Sequence, residues 1–146
     1  MRKVLVWFTL IQLVLVLLQF YLATFGAFER PVPAVGSEDA AIGWHAINGI
    51  FVIPVFSLIT TILALVARSP GKLTLYASGP LLMALVQMFV IFPLAELAGG
   101  TETKTSTASL VVMGFHALVG VVMLGAAVLA FTGARTQAGA RSVSSV

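Results

Sequence analysis

The stretch Ala40–Ala67 reads AAIGWHAINGIFVIPVFSLITTILALVA and holds no Asp, Glu, Lys or Arg. A helix needs about 20 apolar residues to cross the hydrocarbon core of a bilayer, and this stretch exceeds that. Three further uncharged runs, Val4–Phe28, Leu73–Ala95 and Thr105–Ala134, share its length and its Leu/Val/Ile/Ala/Phe character. None shows the strict alternation of an outer-membrane barrel strand. The expected fold is therefore all-α: an integral membrane, up-down four-helix bundle with spans at about 4–27, 41–67, 73–96 and 108–133. These form one transmembrane domain over 1–136.

Composition agrees. Of 146 residues, 60% are hydrophobic and 9% charged, against roughly 45–50% and 25% in soluble domains. That excludes an ordinary soluble domain, a disordered chain and a nucleic-acid-binding module. The pI near 9.8 reflects a net charge of only +3. There is no cysteine, which excludes disulfide scaffolds, thiolate metal sites, iron–sulfur clusters and covalently attached c-type haem.

The charges also orient the chain. Arg2, Lys3, Arg68, Lys72, Arg135 and Arg141 fall on one side of the spans. Arg30 and Lys104 fall on the other, with all five acids. The positive-inside rule puts both termini and the Arg68–Lys72 turn in the cytoplasm of a bacterial plasma (inner) membrane. The first run is too long for a signal-peptide core of 7–15 residues. Residues 137–146 are small and polar and read as a disordered cytoplasmic tail.

Within the apolar background a motif repeats. Gly43-Trp44-His45-Ala46-Ile47-Asn48-Gly49 matches Gly114-Phe115-His116-Ala117-Leu118-Val119-Gly120. Upstream, Leu18-Gln19-Phe20-Tyr21 resembles Val86-Gln87-Met88-Phe89. The pattern predicts two parallel helical-hairpin repeats related by an axis along the membrane normal. Helices two and four are then diagonal, and His45 and His116 face each other across the axis.

Histidine inside a membrane is rare and functional by default. Two facing imidazoles suit the axial positions of one haem b iron. Zinc or copper would want three or four protein ligands; Met113, one turn from His116, is the extra donor for a Cu(I) site. Gly49 and Gly120 stand one turn from their histidines and are expected to clear space beside the ring. Gly43, Gly114 and Gly125 read as helix-packing glycines. Trp44 and Phe115 flank the histidines identically and are candidates for packing on haem. Asn48 is a candidate for bonding a propionate, an imidazole or a helix. Arg30 and Lys104 are candidate propionate partners. Gln19 and Gln87 read as interhelical hydrogen bonds. One geometric obstacle stands out: His45 lies one helical turn further from Arg68 than His116 does from Arg135. At 1.5 Å per residue that is about 6 Å of depth.

At His45 and His116 the chain resembles one four-helix half of the haem A synthase family, whose histidines sit on the second and fourth helix of each half. It is also similar to small bacterial four-helix membrane proteins with a G-x-H-x-x-x-G signature and, more loosely, to cytochrome b561-like bundles. The synthase resemblance implies a haem-holding bundle over all four spans. It does not imply the hydroxylation chemistry: the synthase places a catalytic glutamate one turn before a ligand histidine. Here Ala41 and Ile42 precede His45, and Val112 and Met113 precede His116.

The expected function is that of a membrane b-type cytochrome with one non-covalent bis-histidine haem, transferring electrons to or from a redox partner protein. The alternatives are haem handling or delivery, and a non-redox accessory subunit of a membrane complex. An independent enzyme is less well supported, because no nucleophile–base pair, phosphate loop or carboxylate pair lies within the spans. Participation of a quinone and of a second copy of the chain stay open.

Overall fold

The computed structural model describes residues 1–101 and 103–140. It contains four long helices: α1 (Arg2–Ala27), α2 (Ile42–Val66), α3 (Gly71–Leu97) and α4 (Thr107–Gly139), each long and apolar enough to cross a membrane. Each packs on the next, and α4 closes on α1, so α2 and α4 are diagonal. The outer faces carry large exposed apolar side chains such as Trp7, Phe51, Leu65 and Phe89. Such a surface is stable where something apolar covers it, and it is compatible with contact with a lipid bilayer.

The helix ends follow local chemistry. Glu29 accepts the backbone N–H of Ala41 at 2.7 Å, placing a carboxylate at the positive end of α2. Ser106 and Ser109 form a reciprocal capping box at the start of α4. Both α2 and α3 end in Schellman turns. In α3 the left-handed residue is Gly99, with Gly100 N–H bonded to Ala95 O and Gly99 N–H to Glu96 O. In α2 the same bonds run from Ser69 to Ala64 and from Arg68 to Leu65, but Arg68 itself takes φ 53°.

Neither α2 nor α3 is a uniform α-helix. Each widens for five residues into a π-turn, at Asn48–Val52 and at Gln87–Ile91. Pro54 and Pro93 follow after one intervening residue each. Proline cannot donate to the preceding turn, and a π-turn is one way a helix accommodates the disruption.

The core is layered along the bundle axis. Towards the termini, Leu5, Ala64, Leu73, Ala77, Ala130 and Ala134 pack together. Above them is a polar knot. Pro80 sits inside α3, and the N–H of the next residue, Leu81, donates to Ser57 Oγ at 3.1 Å. Ala77 O then accepts from Ser57 Oγ at 3.0 Å and Gln12 Nε2 at 2.9 Å. Next come Val16, Ile53, Ala84, Met123 and Ala127. The histidine level lies beyond these.

Two expectations need correction. The disordered tail was expected from Gln137, but α4 continues through Gly139. Gln137 is tied down: Ser69 Oγ donates to its Oε1 at 3.0 Å and Arg2 to its backbone O at 3.4 Å. The rest of that tail, 141–146, lies outside the described residues. Second, Gly43, Gly114 and Gly125 are not packing glycines within this chain, since a Cβ on each would meet nothing within 4 Å. Close packing instead falls on Gly26 and Gly79, whose Cβ would stand 2.6 Å from Ile42 Cα and 2.5 Å from Ala126 Cβ.

Candidate functional site

His45 near the start of α2 and His116 in α4 meet across the bundle. Their ring centroids are 5.9 Å apart and the planes are tilted by 59°. The expected 6 Å difference in depth is absent because Arg135 does not mark the end of its helix. It lies one turn inside α4, whereas Arg68 lies just past the end of α2.

The rings border an apolar cavity of about 200 Å³, walled by all four helices. The polar residues lining it are Gln19, Gln87, His45 and His116; Phe20, Met88, Phe92 and Met123 are among the apolar ones. Phe92 stacks on His116 with centroids 5.4 Å apart.

The two hairpins share one bond. Gln19 Nε2 donates to His45 O at 3.0 Å, and Gln87 Nε2 donates to His116 O at 2.8 Å. The α1–α2 hairpin has more. Its His45 Nδ1 lies 3.0 Å from Gln19 O, and its Nε2 lies 3.2 Å from Gln19 Nε2. An N–H on Nδ1 satisfies both contacts, leaving Nε2 as the acceptor. Asn48 Nδ2 donates to Gln19 Oε1 at 2.8 Å and to Leu15 O at 3.1 Å. In the α3–α4 hairpin, Val119 stands at the place of Asn48. There, Gln87 Oε1 and His116 Nδ1 are buried without a hydrogen-bond partner among the described residues.

Other candidates fall in different places. Gly49 and Gly120 line the cavity, but a Cβ on Gly49 would stand 2.6 Å from Gln19 Nε2, so this glycine makes room for the amide. Gly120 faces Phe20 at 3.5 Å. Trp44 and Phe115, 63% and 51% exposed, point out of the bundle. Asn48 is buried behind the cavity wall, bonded to α1. Arg30 is exposed, its guanidinium donating to Glu29 O at 2.7 Å, in a separate surface recess with Tyr21, Phe25 and Phe28. Lys104 is exposed in the α3–α4 loop. Neither cation lines the histidine cavity. Met113 does not line it either.

Sequence reasoning missed Phe92 and Ser57. The signal for Phe92 was its place before Pro93; for Ser57, a small polar residue in an otherwise apolar run. No group of three or more His, Cys, Asp or Glu able to hold a metal occurs among the described residues. The chain matches no protein-family model, no curated protein and no solved structure.

Proposed function

We propose that the chain is a small membrane cytochrome b, with one haem b held between His45 and His116. The observation that carries this is the 5.9 Å ring separation. Two imidazoles that shared one metal at bond lengths of about 2 Å would have their centroids about 6 Å apart. A pair of imidazoles without a third protein ligand suits an iron whose other four positions a porphyrin fills.

The surroundings fit the donor set. Metal binding needs neutral imidazole with a lone pair on the coordinating nitrogen, fixed by a bond at the other nitrogen. Gln19 O provides that for His45, so its Nε2 would be the atom to hold the metal. The apolar walls raise the cost of charge, the lever by which burial tunes a haem potential. Bound there, haem b would supply one-electron transfer between ferric and ferrous iron.

Space is the tighter requirement. Pockets that bury a drug-sized ligand measure about 300–1,000 Å³, above the 200 Å³ here. Seating a porphyrin therefore moves Phe20, already 37% exposed, and Met88 outward, and withdraws the Gln19 amide from His45 Nε2.

The test is the protein purified from haem-sufficient cells, with iron and copper measured alongside its spectrum. Sharp α and β bands after dithionite, lost in His45→Ala and His116→Ala, are expected. Their absence from the parent protein overturns the reading. The need to displace Gln19 and Phe20 favours a second reading, transient haem handling. Rapid haem transfer to apomyoglobin would support that over a resident cytochrome. The side of the membrane facing the cavity, the plasma-membrane location and a redox partner protein belong to the same proposal.

A further inference from the structure

The two hairpins differ in how their polar atoms are satisfied. In the first, Gln19 Oε1 receives Asn48 Nδ2, and His45 Nδ1 reaches Gln19 O. In the second, both corresponding atoms, Gln87 Oε1 and His116 Nδ1, are buried and unpartnered. The amide cannot be turned over to remedy this, because Gln87 Nε2 must face His116 O, 2.8 Å away. Val119, in the place of Asn48, offers no donor. Gln87 O accepts the Phe92 N–H that closes the π-turn and receives nothing from His116 Nδ1, unlike Gln19 O opposite, which His45 Nδ1 reaches. Gln87 is 8% exposed and, with His116, lines the cavity. Leaving both atoms unpaired in an apolar wall is unfavourable.

We propose that this half of the cavity binds a hydroxyl group bridging His116 Nδ1 and Gln87 Oε1. The hydroxyl comes either from water or from the head of a lipid-soluble hydroquinone. A hydroxyl both accepts and donates. Its oxygen accepts a hydrogen bond from Nδ1–H and its O–H donates one to the carboxamide oxygen, replacing the two bonds that the first hairpin makes from protein. The same tautomer frees His116 Nε2 for a metal, so the inference deepens the cytochrome reading. It does not stand on haem: with the proton on Nε2, a water donates to both atoms.

The chain has two histidines, which makes ring-nitrogen NMR decisive. The full-length protein carries ¹⁵N-histidine in lipid nanodiscs and is kept reduced if haem is present. His45→Ala assigns the signals. A hydrogen-bonded His116 Nδ1 signal is expected. Val119→Asn supplies the amide donor that Asn48 supplies opposite, displaces the hydroxyl and shifts the His116 signals while His45 stays put. Gln87→Leu gives the same selective shift if Val119→Asn does not fold. A water source shows as magnetisation exchange between the ring N–H and water. A lipid source shows as a further His116 shift on adding a short-chain benzohydroquinone. Identical His116 signals in all variants, with neither water exchange nor a hydroquinone shift, overturn the proposal. Failure of the haem reading appears separately, in iron content and the visible spectrum.

Discussion

His45 and Asn48 sit one turn apart, and α1 depends on both. Asn48 bonds Leu15 O and Gln19 Oε1, and Gln19 in turn steadies His45. Asn48→Val should cost about 1 kcal/mol, the scale of a polar contact between membrane helices, read as an earlier midpoint in SDS titration. Arg68 is a second case. It holds φ 53° at the Schellman position that Gly99 fills in α3, and a side chain there costs about 1–2 kcal/mol. Arg68→Gly should raise stability by about 1 kcal/mol in the same titration. At this scale the sequence was most legible where a residue was rare in its setting. Histidine in an apolar run stands out by itself. The partner of each polar side chain did not, because Gln19 and Gln87 look alike until the Asn48/Val119 difference is set beside their hydrogen bonds.

For the helices, length and order could be read from charge placement, since ionised groups cannot stay inside lipid. The π-turns could not: Pro54 and Pro93 announced a disturbance, but its form depends on which carbonyl each N–H reaches. The knot around Pro80 was hidden for the same reason, its members lying on three different helices. Ser57→Ala removes the hydroxyl that accepts from Leu81 N–H and donates to Ala77 O and should lower the unfolding free energy by about 1–3 kcal/mol. Packing gives a paired test. Gly79→Ala places a methyl against Ala126 and should cost about 1–3 kcal/mol. Ala126→Gly in the same molecule should restore most of it, and Gly125→Ala, facing open space, should cost nothing. SDS midpoints of the single and double variants check all three.

The molecule as a whole is a bundle whose histidine level lies at one end, beyond two apolar layers and the knot. Its orientation can be tested cleanly because the chain contains no cysteine. Ser37→Cys should react with a membrane-impermeant maleimide in intact cells, and Gly71→Cys only after lysis; the opposite pattern would invert the topology. The knot joins α1, α2 and α3, whereas α4 meets that level through small residues such as Ala127 and Ala130. This division bears on biosynthesis. Chains emerge N-terminus first, so three cavity walls and His45 are made before the wall bearing His116. A guest wider than the finished cavity can be laid in place while that side is still absent. Haem present during synthesis should therefore load more fully than haem added to the completed protein, as measured by haem per chain after equal exposure.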